Sequence, residues 1–265
     1  MAAHREKKKS RAGRIAMGVL LAVCIGVFLF SAYMLLSDYI EKRESQDAVD
    51  GVKRYVTVST RKGSAAAADG EQQEAAEPFY EVDFDALRAI NGDIYGWIIL
   101  PDTIIDYPVM QDNDNEYYLR HTFEKKANRC GSIFVDKDNA RELGDANTVI
   151  HGHRMRNGSM FGTLDRFADP AYFAAHPVLY LATPQAYYRL EVFAAYEARW
   201  DAGQTQQRFA SEEEYAAFIE SCRGRSVIAA DVEMTPADKM VTLSTCTAAS
   251  NENRFIVHAR AVKLA

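Results

Sequence analysis

Residues 240–246 read Met-Val-Thr-Leu-Ser-Thr-Cys, and this stretch gives the first indication of both the fold and the chemistry. Val241 and Leu243 alternate with polar residues, which is the period of a strand with one buried face. Such a strand would hold Cys246 at its end, where a nucleophile is well positioned yet accessible. The thiolate is the reactive form, so Cys246 would need a base or a nearby cation. Taken alone, the stretch fits a buried, unreactive cysteine equally well.

Short strands of this kind recur through most of the chain, and helices are few. The predicted strands cover residues 95–100, 104–110, 132–136, 147–151, 178–182, 187–196, 239–245 and 255–262. Pro108 interrupts the second of them and predicts an edge strand. Helices are predicted over 84–90 and over 212–222, the second capped by Ser211. The pattern predicts a mainly β fold, a closed or nearly closed barrel with a few peripheral helices.

Two further segments supply groups suited to acyl transfer. Residues 149–155, Val-Ile-His-Gly-His-Arg-Met, end a strand with His151 and His153, and histidine is the usual proton carrier near neutral pH. A metal site is the alternative, but the helical H-E-x-x-H spacing and a third ligand are missing, so no metal is expected. Arg254 begins another strand, and its guanidinium offers forked donors to a developing oxyanion. Taken alone, Arg254 also fits a surface ion pair.

Charge is distributed unevenly along the chain. The whole chain carries −6, whereas residues 1–14 hold six basic residues against one acidic residue, so the remainder carries −11. An acidic body argues against a nucleic-acid partner. Residues 15–36 are 22 uncharged residues; at about 1.5 Å per residue they span the roughly 30 Å of a bilayer's hydrocarbon core. This predicts a single-pass anchor in the cell membrane with a cytoplasmic amino terminus and an extracellular catalytic domain.

A cleaved signal peptide is the alternative interpretation of this apolar run, but signal peptides have shorter apolar cores, about 7–15 residues. The expected organisation is a basic cytoplasmic tail over 1–14, the anchor over 15–36, a juxtamembrane segment and flexible stalk over 37–79, and a catalytic domain over 80–265. Cys24 lies in the anchor. The three other cysteines, Cys130, Cys222 and Cys246, cannot all pair with one another, so at least one thiol stays free. Whether Cys130 and Cys222 pair is left open.

Taken together, these segments resemble the sortase family. The string Thr242-Leu243-Ser244-Thr245-Cys246, an arginine eight residues later, and Gly152-His153-x-Met155 about ninety residues earlier look like its signature. Residues 91–98, 105–111, 131–134 and 158–161 are also similar to that family. The helix over 212–222 with residues 225–228 resembles the insertion that marks class B members. The resemblance covers about residues 84–262.

The resemblance implies a class B-like cysteine transpeptidase that uses no cofactor. Cys246 would be the nucleophile, His153 the acid and base, and Arg254 the oxyanion stabiliser; His153, rather than His151, fits the Gly-His-x-Met position. The implied substrates are secreted proteins bearing a C-terminal sorting signal, which form a thioacyl intermediate. An amine of a peptidoglycan precursor or of a pilin would resolve that intermediate.

The sequence points less directly to other residues of the site. Ser244 and Thr245 are candidates for lining the substrate groove. Some class B members have an acidic residue two places after the cysteine, where this chain has Ala248, so no accessory carboxylate is expected there. Asp112, Asp114 and Glu116 alternate as calcium ligands do, but Tyr117 stands where an EF-hand loop needs glycine, which favours a solvated acidic loop.

Three other functions are alternatives to this one. An L,D-transpeptidase usually places its cysteine and histidine close in sequence, and a papain-like hydrolase has its cysteine first; this chain does neither. A membrane-tethered binding module with a degenerate catalytic site is the alternative outside enzymes.

Overall fold

The computed structural model describes residues 11–61, 77–247 and 252–265. Most of the predicted basic tail, residues 62–76 of the predicted stalk, and Ala248 lie outside the described residues. The chain forms two compact units, residues 1–44 and residues 45–265.

The first unit is helical. Helix α1 (Arg11–Lys53) begins in it, and the large apolar side chains of residues 15–36 are exposed, Phe28 at 70% among them. Within the described residues one helix is long and apolar enough to cross a membrane, with a mean hydropathy of 2.6 over its most apolar window. An exposed apolar helix of this length fits a membrane anchor.

The second unit is built on eight strands. These are β3 (Ile94–Ile99), β4 (Asp106–Met110), β5 (Ile133–Val135), β6 (Asn147–His151), β7 (Val178–Ala182), β8 (Tyr187–Arg199), β9 (Lys239–Cys246) and β10 (Asn253–Lys263). They form a closed barrel in the order β10-β8-β7-β3-β4-β5-β6-β9. The predicted barrel is therefore confirmed, and most strand bounds agree to within one or two residues.

Alternation along the strands divides their residues between two faces. Val241 and Leu243 of β9 belong to the same buried core as Val257 of β10 and Ile150 of β6, which fills the barrel. The intervening residues of these strands face outward. Alternate side chains of these strands therefore fill the apolar interior of the barrel, as the alternation of Val241 and Leu243 in the sequence predicted.

Shorter elements cover the outside of the barrel. They are β1 (Val56–Arg61), β2 (Glu77–Val82), α2 (Phe84–Ile90), α3 (Pro170–Ala175), α4 (Glu212–Arg225) and two 3-10 turns, Tyr117–Leu119 and Leu164–Ala168. Val52, at the end of α1, lies in one outer cluster with Trp97 of β3. Helix α4 packs Tyr215 and Ile219 against Ile256 of β10 in a second cluster.

Two predictions about these elements are wrong. Pro108 does not lie in an edge strand, because β4 pairs with both β3 and β5; the ladder to β5 begins only at Val109, so the missing N–H of Pro108 costs no bond on that side. The folded unit begins at Ser45 rather than at residue 80. Val49 and Val52 are buried, and β1 pairs along its whole length with β2, so residues 45–61 belong to the fold and not to a separate juxtamembrane segment and stalk.

Candidate active site

The ends of three neighbouring strands bring the predicted site residues together. Cys246 is the last residue of β9, and Arg254 lies directly opposite it in the antiparallel ladder with β10. On its other side β9 runs parallel to β6, with His151 beside Ser244. Neighbouring strands are about 4.8 Å apart. Cys246 therefore lies between a strand that leads to His153 and a strand whose second residue is Arg254.

Side-chain hydrogen bonds of Thr242 show that Cys246 lies on the outer face of the barrel. Thr242, four residues before Cys246, donates from Oγ1 to Oδ1 of Asn147 on β6 at 2.7 Å. Thr242 Oγ1 also lies 2.8 Å from Nδ1 of His258 on β10. Since every second residue of a strand shares a face, Cys246 lies on this outer face. It is half-buried there, so the thiol is partly accessible.

The loop after β6 is held by backbone contacts around His153. The N–H of Gly152 donates to the carbonyl of Ser244 at 3.1 Å, so the ladder to β9 continues one residue beyond β6. The N–H of Phe161 donates to the carbonyl of His153 at 3.0 Å. A Cβ on Gly152 would lie 2.6 Å from the Phe161 ring, which explains why glycine separates the two histidines. These contacts place His153 beside the end of β9.

A carbonyl from a different part of the chain fixes the tautomer of His153. Its Nε2 lies 2.8 Å from the carbonyl oxygen of Leu119, the last residue of the first 3-10 turn. A carbonyl oxygen only accepts, so Nε2 carries the hydrogen, and the neutral ring has its lone pair on Nδ1. The half-buried ring of His153 is thereby held in one orientation with one nitrogen able to take up a proton.

Arg254 lies on the opposite side of Cys246. Its backbone pairs with Cys246 on β9 and with Ala198 on β8, so it sits inside the sheet rather than at an edge. Its Nη1 donates to the carbonyl of Asn253 at 3.1 Å, and the side chain is half-buried. A guanidinium held beside a cysteine at the end of a strand can contact a carbonyl oxygen that the cysteine attacks.

The two candidate groove residues face in opposite directions. Ser244 has the same parity as Cys246, lies on its face and is 4% exposed. Thr245 has the parity of Val241 and Leu243, whose side chains fill the barrel, and is 2% exposed. Because successive side chains of a strand point to opposite faces, Thr245 cannot line a groove in front of Cys246. Of this pair only Ser244 lies on the face of Cys246, and its role in lining a groove stays a prediction.

A hydrogen bond between His151 and Asp136, next to the site, was missed by sequence reasoning. Nε2 of His151 lies 3.1 Å from Oδ2 of Asp136, which follows β5, and the same oxygen accepts from Nδ2 of Asn115 at 2.9 Å. Burial would raise the pKa of Asp136, but hydrogen bonds from His151, the Asp138 N–H and Gln207 outweigh burial and lower it. Asp136 therefore remains a carboxylate.

The remaining cysteines differ from Cys246 in their surroundings. All four cysteines are thiols rather than disulfides; Cys130 and Cys222 are buried. Burial raises the pKa of Cys222 to about 11, which keeps it protonated and unreactive. Tyr196 connects Cys222 to the buried His258, since its hydroxyl lies 3.6 Å from the sulfur and 2.9 Å from Nε2 of His258.

The acidic loop over residues 112–116 stabilises the start of the first 3-10 turn. Oδ1 of Asp114 accepts from the N–H groups of Glu116 and Tyr117 at 2.8 and 2.6 Å and so caps the first 3-10 turn, the turn that carries Leu119. Within the described residues, no group of three His, Cys, Asp or Glu side chains is arranged to hold a metal ion.

A model of the sortase domain matches residues 98–262. The chain belongs to the sortase family, whose enzymes are cysteine transpeptidases. Among its relatives, sortase B of Listeria monocytogenes is 33% identical over 227 residues, which cover 86% of this chain and 88% of that protein. Sortase B of Staphylococcus aureus is 30% identical over 248 residues, covering 93% of this chain and 95% of that protein. A class B assignment fits these relatives.

Solved structures agree with the assignment to the sortase family. Sortase B from Bacillus anthracis in complex with AAEK1 superposes with a TM-score of 0.71 at 33% identity, covering 85% of this chain and 99% of that one. A Staphylococcus aureus sortase B–substrate complex superposes with a TM-score of 0.66 at 34% identity, covering 69% of this chain and 85% of that one.

Proposed function

We propose that this chain is a membrane-anchored, class B-type transpeptidase that joins secreted proteins to an amine through a thioester on Cys246. Its substrates are secreted proteins with a C-terminal sorting signal. The acceptor is an amine of a peptidoglycan precursor or of a pilin. One observation carries the proposal: the registers of β6, β9 and β10 put Cys246 between the loop of His153 and the side chain of Arg254.

In the first half-reaction the thiol of Cys246 passes its proton to Nδ1 of His153, and the resulting thiolate attacks the carbonyl carbon near the end of the sorting motif. The carbonyl oxygen gains negative charge, which Arg254 meets with a permanently charged, forked donor. As the tetrahedral intermediate collapses, the carbon–nitrogen bond breaks and the departing amine takes a proton from His153. The products of this step are a thioester on Cys246 and a free C-terminal peptide.

In the second half-reaction a primary amine attacks the thioester carbonyl. The carbon–sulfur bond breaks, Cys246 leaves as a thiolate, and the amine's proton passes to a base in the site. The new amide bond conserves the acyl group of the substrate, which makes the reaction a transfer rather than a hydrolysis.

The anchor fits this chemistry because both partners reach the site at a membrane surface. The basic residues before the apolar helix support a cytoplasmic amino terminus, and in the proposed orientation residues 45–265 lie on the outer side of the membrane. There the acidic catalytic unit meets proteins as they leave the cell.

Substitution of the three site residues tests the assignment. In a cleavage assay with quenched sorting-motif peptides, Cys246→Ala should show no turnover, and His153→Gln and Arg254→Ala should each lose at least about 10²-fold in kcat/KM, as expected for general acid–base and oxyanion groups. Arg254→Lys should recover only part of the loss, because lysine keeps the charge but not the forked donors.

Matched controls separate these roles from general damage. Cys222→Ala removes a buried thiol and His176→Gln replaces a histidine on α3's C-terminal side, so both should retain turnover. Full activity of a Cys246, His153 or Arg254 variant removes that residue from the mechanism. A folded wild-type protein that cleaves no sorting peptide and acylates on none would favour the binding-module alternative.

A further inference from the structure

His151 occupies the same face of the sheet as Cys246, one strand away. It lies beside Ser244 in the parallel ladder, and Ser244 shares its face with Cys246 two residues further along β9. From strand spacing and rise, the Cα atoms of His151 and Cys246 are roughly 8 Å apart. The His151 side chain is 26% exposed, so the ring is partly accessible to solvent on the face that carries Cys246.

The contacts of His151 define what its ring can do. The Asp136 carboxylate accepts a hydrogen bond, so Nε2 of His151 carries the hydrogen that it donates over 3.1 Å. In the neutral ring the lone pair is then on Nδ1. Among residues 11–61, 77–247 and 252–265, Nδ1 of His151 has no hydrogen-bond partner. The site thus holds a second imidazole with an available acceptor nitrogen.

Asp136 gives this imidazole the support that a base requires. The carboxylate is itself held by Asn115 Nδ2 at 2.9 Å and by the N–H of Asp138 at 3.0 Å, so its position is fixed before the reaction. A ring that takes up a proton on Nδ1 becomes an imidazolium, and the adjacent carboxylate stabilises that charge. His153 differs, because its Nε2 is held by a neutral carbonyl.

The two half-reactions make different demands on the site. The first needs an acid that protonates the departing amine, which is the role proposed for His153. The second needs a base that removes a proton from the attacking amine, because a neutral amine becomes positively charged as its nitrogen bonds to carbon. Two imidazoles with different partners allow the two steps to use different residues.

We infer that His151, held by Asp136, is the base for the second half-reaction, which rests on the proposed transpeptidase function. The amine nitrogen bonds to the thioester carbon, and one N–H proton moves to Nδ1 of His151. The carbon–sulfur bond breaks, and Cys246 leaves as a thiolate. The imidazolium of His151 then returns its proton to water.

The test follows the acyl-enzyme rather than overall turnover. Full-length wild type and His151→Gln, in detergent, react with a cleavable sorting-motif peptide, with and without triglycine as the amine. Glutamine keeps an N–H donor for Asp136 but has no basic nitrogen. We expect the acylation rate to stay within about threefold, while thioester resolution by triglycine slows about 10²-fold, the lower end of general-base effects. The acylated form should therefore accumulate in the variant, as read by intact-protein mass spectrometry.

Two further variants keep the result interpretable. Asp136→Asn retains the ring but removes the charge that stabilises it, so it should slow thioester resolution by a smaller factor than His151→Gln. Added imidazole should restore aminolysis in His151→Ala and leave its acylation rate unchanged, which a residue with a merely structural role would not show. His176→Gln serves as the control histidine.

The outcomes separate this inference from the function beneath it. Equal resolution rates in wild type and His151→Gln overturn the role of His151 while the transpeptidase stands. Loss of acylation in His151→Gln, with acylation retained in His153→Gln, overturns the inference and moves the first proton transfer to His151. Absence of a thioester in folded wild type contradicts the proposed function and the inference with it.

Discussion

Gly152 separates the two histidines of the site, and the ring of Phe161 occupies the space that a side chain at this position would need. An added Cβ would lie 2.6 and 2.8 Å from ring atoms of Phe161, which is completely buried. Gly152→Ala should therefore lower the free energy of unfolding by about 1–3 kcal/mol, as overpacking does. It should also lower peptide cleavage, because His153 follows directly and would be displaced.

Thermal unfolding and peptide cleavage measure the two effects of Gly152→Ala. Gly92→Ala is the matched control, since a Cβ on Gly92 meets nothing within 4 Å. Wild-type Tm and turnover in Gly152→Ala would show that the loop between β6 and Phe161 has a different geometry.

His258 predicts how stability depends on pH. Complete burial, aided by the charge of Arg225, lowers the pKa of His258 to about 3. In the unfolded chain its pKa is about 6.5. Between these values the unfolded state binds a proton that the folded state excludes, so stability is lost as pH falls from 6.5 towards 3.

The expected slope is up to about 1.4 kcal/mol per pH unit from this one group. Urea unfolding at several pH values should show a smaller slope in His258→Gln than in wild type. His176→Gln should retain the wild-type slope. An unchanged slope in His258→Gln would mean that the imidazole is not held neutral in the folded protein.

The sequence was sufficient to predict the candidate catalytic residues but not the groups that hold the histidines in position. Cys246, His153 and Arg254 stand in motifs, and each motif places a residue type suited to its chemistry at the end of a strand. The hydrogen-bond partners of the two histidines could not be predicted. Leu119 is 34 residues from His153, and Asp136 is 15 residues from His151. Contacts of this kind depend on tertiary packing, which no local pattern specifies. The roles of the three site residues stay predictions.

At the scale of elements, the barrel strands were predictable because β9 alternates apolar and polar residues, while β3 and β7 are short apolar runs bounded by turn residues. Helix α4 was predicted from its cap, and Oγ of Ser211 accepts from the N–H of Glu214 at 3.2 Å. The six-residue α3 was missed because it is too short to show a helical period. The prediction that Pro108 lies in an edge strand was wrong. A proline in the sequence does not reveal at which residue the hydrogen bonds to the neighbouring strand begin, and here they begin at Val109.

The end of α1 and most of strand β1 are predicted as a juxtamembrane segment before the stalk, because their sequence is charged and only sparsely apolar. In the structure Val49 and Val52 are 6% and 3% exposed, and β1 and β2 form a two-stranded sheet. Each buried valine is worth about 1.5–3 kcal/mol relative to an exposed one. Residues 45–61 therefore contribute to the stability of the catalytic unit.

A comparison of two fragments tests this contribution. Residues 45–265 should unfold at a Tm at least about 5 °C above that of residues 77–265, since several kcal/mol are lost with the valines. Within the longer fragment, Val52→Ala should lower Tm, whereas Val58→Ala should leave it unchanged because Val58 is 66% exposed. Equal Tm values for the two fragments would mean that residues 45–61 do not stabilise the catalytic unit.

At the scale of the whole molecule, the chain combines an apolar helix with a catalytic unit of the sortase family. The composition of residues 15–36 was sufficient to predict the helix, because length and apolarity alone qualify a span. The orientation across the membrane remains a proposal that rests on the basic amino terminus. The proposed function joins the two parts, since an enzyme anchored in this orientation would meet exported substrates where they emerge.

The central claim is that Cys246 forms a thioester with a sorting-signal peptide and passes the acyl group to an amine. The most direct measurement is intact-protein mass spectrometry of the full-length chain with a panel of sorting-motif peptides, before and after a primary amine is added. The account predicts an acyl adduct that maps to Cys246, is absent from Cys246→Ala, and disappears as the amide product forms. An adduct on another residue, or no adduct on folded protein across the panel, would contradict it.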